Sequence, residues 1–365
     1  MALADMSPFY STRPILTTGH RAIGPVSPIH SALTPSPVKR DAGHDDTYVV
    51  VREGVSVSGV AGTIAVGVDG SSSSAQALVW AVEQAQAEHR AVTLVHALPP
   101  TTPAWLDPAG SNAREAHEFS LRAKGPEVLE RAGQEVRRLA PDLTVHSLGR
   151  LADPRQALVE VSETASMVVL GSRGRGHLKS LLLGSTAVAV VRHAHCPVVV
   201  HRPTSPSPRR KGIAVGADAT EDSLPVLDFA FREASIGKLP LTVVHSFWYF
   251  QQPSTVEDVR VDPAAASLRQ QLALSESLAG FAETYPDVSV HTEIDQGMPE
   301  RFLLRLADEM DLLVVGAHSV SRAQQFMFGS VSVWLVEHAN CPVAVVPLSA
   351  DRTPPTSGPH QGRTP

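Results

Sequence analysis

The sequence predicts an α/β protein built from two tandem doubly wound domains, each with a parallel sheet. Three observations carry that prediction. First, text recurs at a fixed spacing. IAVGVDGSSSS from Ile64 returns as IAVGADATEDS from Ile213, and TLVHA from Thr93 returns as TVVHS from Thr242, both 149 residues on. MVVLGSRG from Met167 returns as LLVVGAHS from Leu312, and HAHCPVVV from His193 as HANCPVAV from His338, both at 145. An offset that is constant within each stretch and differs by four residues between them marks a duplicated domain with one loop shortened. Second, short runs of Val, Ile and Leu alternate with helical patterns. Third, TSPSPRRK from Thr204 to Lys211 has the Pro and Ser content of a domain boundary.

Each element has its own reason. Ile64–Val68, Val92–Val95, Met167–Leu170 and Val198–Val200 are continuous rather than alternating apolar runs. That pattern suits parallel strands buried on both faces. Between the first two, Leu78, Val82 and Ala85 share one face of a helix that Ser73 or Ser74 would cap. A second helix is expected over Ala152–Ala165. Strand and helix in alternation imply a doubly wound parallel sheet. Tyr48–Val57 alternates Val with polar residues and reads as a short edge strand or as no element at all.

The bulk properties set outer limits. A chain of 365 residues suggests two domains at ~150 residues each. No run of 18 apolar residues occurs, so a membrane partner is not expected. A formal charge of −6 weighs against nucleic acid, because phosphate backbones attract basic surface. The two cysteines, Cys196 and Cys341, lie far apart and form no disulfide framework, which suits a reducing cytoplasm. The domains are expected at 61–203 and 212–348, with 204–211 as linker. Residues 1–60 and 349–365 are expected to be disordered, since few groups there could be buried. An organelle transit peptide would share the Ser-rich, acid-poor bias of the first 44 residues, but disorder explains it more simply.

The chemistry concentrates after the run Met167–Leu170. There Gly171, Gly174, Gly184, Ser185 and Thr186 form a G-x2-G-x9-G-S-T frame that leads into an apolar helix. Glycines let backbone N–H groups approach an anion, and a helix N-terminus adds roughly half a positive charge. Arg173, Arg175, His177 and Lys179 within the frame have the sign a polyphosphate needs. The bland alternative is a Gly-rich turn with solvated basic residues. Asp69 ends the first strand. In a doubly wound sheet ligands bind where the strand order reverses. If strands one and four are neighbours there, Asp69 faces the glycine frame across the crevice. A carboxylate repels phosphate, so Asp69 would serve a ribose or base by hydrogen bonds, or else close an Asx turn.

This frame, with V-D-G-S after the first strand, resembles the universal stress protein family. The resemblance covers 61–203 and 212–348, and GSRGRG, LLGS and RHAHCPVVV resemble actinobacterial tandem members. It implies a Rossmann-like five-stranded parallel sheet in the order 3-2-1-4-5 and ATP, with or without Mg2+, at the switch point. By position it implies Asp69 at the adenosine end and backbone near Ala97, after strand two, at the adenine. Gly171, Gly174, Gly184, Ser185 and Thr186 would hold ribose and phosphates. In the second copy Asp218, Gly316, Gly329 and Ser330 match, but Ser319 replaces a glycine. At a left-handed position that costs about 1 kcal/mol or more. The cationic set there shrinks to His318 and Arg322.

Other signals are weaker. His193, His195 and Cys196 have poor spacing for a metal, and a packed cysteine before a strand explains them better. His96 and His245 match across the repeat and read as structural groups at a strand end. There is no Walker A loop, nucleophile elbow or H-E-x-x-H. The favoured function is a non-enzymatic, ATP-binding regulator of stress or dormancy with an unidentified protein partner. The alternatives are a nucleotide-hydrolysing or adenylyl-transferring enzyme of related fold, and a scaffold with vestigial sites. Two fused copies would give a pseudo-symmetric monomer, or a homodimer of such chains.

Overall fold

The computed structural model describes residues 48–51, 60–98, 111–174, 183–202, 211–247, 263–317 and 331–348. All of them belong to one compact unit, Asp45–Pro365. The expectations for residues 1–47, for Thr204–Arg210 of the linker and for the tail from Ser349 lie outside the described residues.

The order of elements in the first half is β1 (Tyr48–Val51), β2 (Ile64–Gly67), α1 (Ser72–Glu88), β3 (Val92–Leu98), α2 (Ser111–Leu139), β4 (Val145–Leu151), α3 (Pro154–Ser162), β5 (Met167–Gly171), α4 (Ser185–His193) and β6 (Val198–His201). The second half repeats it from β2 onward. It comprises β7 (Ile213–Gly216), α5 (Leu224–Gly237), β8 (Leu241–Phe247), α6 (Pro263–Thr284), β9 (Val290–Gln296), α7 (Pro299–Ala307), β10 (Leu312–Gly316), α8 (Val331–His338) and β11 (Val343–Val346).

The described strands join one sheet of eleven, in the order β1-β4-β3-β2-β5-β6-β11-β10-β7-β8-β9. Counted within each half from β2 or β7, the order is 3-2-1-4-5, with β1 added at the outer edge of the first. Pairing is parallel except between β6 and β11, which run antiparallel with Val199 opposite Ala344. The two domains are therefore two halves of one continuous sheet. Of the two readings of Tyr48–Val57, the edge strand is the one found, over Tyr48–Val51 against Ser147–Arg150 of β4.

Two apolar layers sandwich the sheet. Residues of α1, α2, α5 and α6 pack on one face, and residues of α3, α4, α7 and α8 on the other. Continuous apolar strands follow from this, because both faces of the central strands are buried. Ile64, Ala65 and Val66 are all fully enclosed. A side chain such as Leu94 contributes about 1.5–3 kcal/mol by leaving water. In α1 the buried set Ala77, Leu78, Ala81, Val82 and Ala85 recurs at helical spacing, as expected.

The cap of α1 differs from expectation. Ser71 is the N-cap, and its side chain accepts from the Ser74 N–H. Ser73 and Ser74 lie inside the first turn and are buried, so neither sits at the boundary. A run of four serines offers several cap candidates, and the left-handed turn at Gly70 (φ 78°) selects the one that follows it.

Candidate functional site

The order β3-β2-β5 places the chain reversal at the carboxyl end of β2, between β2 and β5. From that end Val68 leads to Asp69. Asp69 Oδ1 accepts from the Ser71 N–H at 2.9 Å, closing an Asx turn. Ser74 Oγ donates to the Ser71 carbonyl at 3.0 Å. The other carboxylate oxygen points elsewhere: a Cβ at Gly174 would stand 2.8 Å from Asp69 Oδ2. One aspartate thus makes the turn and also faces the glycine frame.

Serines from α1 hold that frame. Ser73 Oγ accepts from the Arg173 N–H at 3.3 Å, and Ser71 Oγ donates to the Arg173 carbonyl at 3.5 Å. The Ser172 carbonyl accepts from the Gly184 N–H at 3.0 Å, and the Ser172 N–H donates to the His201 carbonyl. Gly184 is the N-cap of α4, and among the described residues no side chain makes a cap hydrogen bond there. The helix begins at exposed Ser185 and half-buried Thr186, and a Cβ at Gly184 would lie 3.8 Å from the Gly174 nitrogen.

The three glycines differ in what demands them. At Gly171 a Cβ would lie 2.6 Å from the carbonyl carbon of Ser73, so close packing of β5 on α1 requires glycine there. At Gly184 the nearest atoms would be 3.8 Å away, so its Cβ direction is open. Ala97 does not follow its strand. β3 runs on to Leu98, and Ala97 pairs with Arg150 of β4 inside it. Arg175, His177 and Lys179 lie outside the described residues.

His96 and His245 act behind the aspartates. His96 Nδ1 meets the Val68 carbonyl at 2.5 Å, and His245 Nδ1 meets the Ala217 carbonyl at 2.9 Å. A carbonyl can only accept, so each Nδ1 carries the proton. Both rings are buried and tether the residue just before Asp69 or Asp218. The histidines, like Ser71 and Ser73, set the crevice from beneath. Their sequence signal was the match across the repeat, which does not by itself distinguish core from site.

The second half is built differently at the same place. Ala219, at φ 59°, stands where the first copy has Gly70. A 3-10 turn, Glu221–Ser223, precedes α5. Asp218 Oδ1 accepts from the Thr220 N–H at 3.0 Å, from Thr220 Oγ1 at 2.6 Å and from Ser223 Oγ. Burial is the largest single influence on this carboxyl and pushes it up. The Ser223 and Thr220 donors together with His245 outweigh it and hold the group below the usual carboxylate range. Gly316 ends β10 opposite Val346. His318, Ser319, Arg322, Gly329 and Ser330 lie outside the described residues.

Cys196 is buried, and burial pushes its thiol up to about 12, which fits a packed residue. A shallow cleft of about 420 Å³, lined by His89, Arg90, Asp142 and neighbours, lies at the amino ends of β3 and β4. It is remote from the glycine frame. Among the described residues no helix is long and apolar enough to cross a membrane.

Comparison with known proteins agrees with this architecture. The universal stress protein family matches residues 61–202 and again 209–347. Universal stress protein Rv2623 of Mycobacterium tuberculosis is 33% identical over 290 residues, covering 77% of this chain and 95% of that protein. A universal stress protein of Mycolicibacterium smegmatis is 32% identical over 301 residues, covering 78% and 96%. The crystal structure of a universal stress protein from Archaeoglobus fulgidus superposes with a TM-score of 0.56 at 19% identity, covering 78% of this chain and 98% of that one, a likeness of fold alone. With the family found twice in one chain and the two copies joined in one sheet, the chain belongs to the universal stress protein family as a tandem member.

Proposed function

We propose that the chain binds ATP, with or without Mg2+, in the crevice of its first half, and that it works as a cytoplasmic regulator of stress response or dormancy without catalysing a reaction. The supporting observation is the approach of Asp69 Oδ2 to Gly174, beside the glycine-capped N-terminus of α4. The donors of α4 suit phosphate, and the carboxylate suits ribose hydroxyls, so the two ends of one nucleotide are served separately. The α4 N-terminus has no side chain in the way at Gly184, Ser185 presents a hydroxyl, and Ala97 offers backbone on the neighbouring strand for adenine. Regulation then consists of showing a loaded or empty crevice to a protein partner.

In the second half the corresponding groups would be Asp218, Gly316, Gly329 and Ser330. Three donors from its own turn already occupy Asp218 Oδ1 and compete with a ribose. One nucleotide per chain is therefore expected. Because β6 and β11 pair within the chain, a pseudo-symmetric monomer is the expected form, and light scattering distinguishes it from a homodimer.

Purified protein, denatured and examined by mass spectrometry, should release ATP, and calorimetric titration of stripped protein should give a stoichiometry near one. Absence of nucleotide together with no heat on titration would overturn the proposal. Steady phosphate or pyrophosphate release at turnover rates would replace the regulator with an enzyme.

A further inference from the structure

The two halves also meet on the face of the sheet that carries α1, α2, α5 and α6, where α1 touches α5. Gln84 and Glu233 occupy the same position in the two copies, 149 residues apart, and they bond to each other: Gln84 Nε2 donates to Glu233 Oε2 at 2.5 Å. The same nitrogen donates to Glu88 Oε1 at 2.7 Å. A single amide thus bridges two carboxyl groups. Both acids are almost sealed from water, with side chains only 4% exposed.

Each acid has one arginine. Arg90 Nε donates to Glu88 Oε2 at 2.8 Å, and Arg232 Nη2 donates to Glu233 Oε1 at 3.1 Å. Both guanidinium groups are about a third exposed (37% and 35%), so solvent screens their pull. The neighbours of α5 are apolar or directed elsewhere, and on α2, which packs on α1, Glu127 and Glu135 pair with Arg131 and Arg138. Strands β7, β8, β10 and β11 face α5 with aliphatic side chains such as Val215, Val243, Val314 and Ala344. Phe281 of α6 and Tyr285 just after it stack on Phe231, and the Tyr285 hydroxyl bonds Asp228. Asp287, after α6, takes the Ser235 hydroxyl. Glu83 on α1, His89 just after it, and Glu221 and Asp222 before α5 are exposed.

A carboxyl group buried beside a second carboxylate resists giving up its proton. Burial, and after it the charge of Glu88, push the Glu233 carboxyl up to about 7 against the pull of Arg232 and Gln84.

We propose that the α1–α5 contact is a proton-operated clasp between the halves, closed while Glu233 holds a proton beside Glu88 and loosened when that proton leaves. The sign follows from linkage. A carboxyl whose folded pKa is raised binds its proton better in the folded state, so the proton's stabilisation is complete below about 4.5 and is lost as pH rises through about 7. The slope is at most a tenfold fall in the folded-to-unfolded ratio per pH unit.

Urea unfolding of the full chain, repeated from about pH 5 to pH 8, reads this directly. In wild type the folded-to-unfolded ratio should fall by up to about tenfold per unit until near pH 7. Glu233→Gln should lose that part of the slope. Glu88→Gln keeps the packing shape but removes the neighbouring charge, so it should move the fall to lower pH, and it carries the test if Glu233→Gln does not fold. Hydrogen exchange, corrected for its intrinsic pH dependence, should lose protection in α1 and α5 more than in α2 and α6 between pH 6 and pH 8. The same slope in wild type and in the folded variants, or loss of protection spread evenly over all four helices, overturns the proposal.

Discussion

Val199 of β6 pairs with Ala344 of β11, its own counterpart 145 residues further along the chain. The flanking pairs, Val198 with Val345 and Val200 with Val343, exchange equivalent positions. A pseudo-twofold axis therefore passes between Val199 and Ala344, and the join is isologous although it lies within one polypeptide.

Symmetry at this join is broken by Arg202. Its Nη1 donates to the carbonyls of Glu337 and Ala339, at 2.5 and 3.1 Å, at the carboxyl end of α8. The matching residue in the second copy is Pro347, which has no such donor. Arg202→Ala should destabilise the chain by about 1–3 kcal/mol through the loss of two charge-assisted bonds, read as a lower urea midpoint with unchanged slope.

The glycines of the frame should separate into two classes on substitution. Gly171→Ala drives a methyl group into the Ser73 backbone and should cost about 1–3 kcal/mol of stability whether or not nucleotide is present. Gly184→Ala meets nothing closer than 3.8 Å and should cost less than about 1 kcal/mol, as a poorer N-cap. It should nevertheless weaken ATP binding by crowding the α4 N-terminus. Paired urea and calorimetric titrations of the two variants would show whether the classes separate.

Asp69→Asn preserves an acceptor for the Ser71 N–H and should leave stability nearly unchanged. Asp69→Ala removes that bond and should cost about 1 kcal/mol. If the carboxylate serves the ribose, both variants should lose nucleotide affinity, and by more than they lose stability. Equal ATP affinity in Asp69→Asn and wild type would confine this residue to its turn.

The second copy should reveal itself at acid pH. Asp218 has a lowered carboxyl pKa, so its hydrogen-bonded carboxylate stabilises the fold above the ordinary carboxylate range. That contribution is lost as pH falls through the folded value. Asp218→Asn should flatten the acid side of the stability profile below about pH 4, where the ordinary aspartate titrates. An unchanged acid limb in the variant would mean that Thr220 and Ser223 do not discriminate the charged form.

What the sequence disclosed follows from where burial is symmetrical. β2, β5 and β6 have both faces covered, so each reads as an unbroken aliphatic run. β4, with VHSLGRL, and β9, with VHTEIDQ, lie towards the edges and interleave polar residues, and no run marks them. Asp69 and Gly174 could be placed together from strand order alone. That Gly171 also packs against Ser73 could not, since residues about a hundred apart come into contact only through tertiary packing. The β6–β11 join is equally silent, because VVV and VAV would serve against any apolar neighbour.

That antiparallel join has a geometric consequence. Strands of the first half and strands of the second point their carboxyl ends in opposite directions along the same slab. The crevice at Asp69 and its counterpart at Asp218 therefore open at opposite poles of the molecule. A compact partner that docks at one pole leaves the other uncovered.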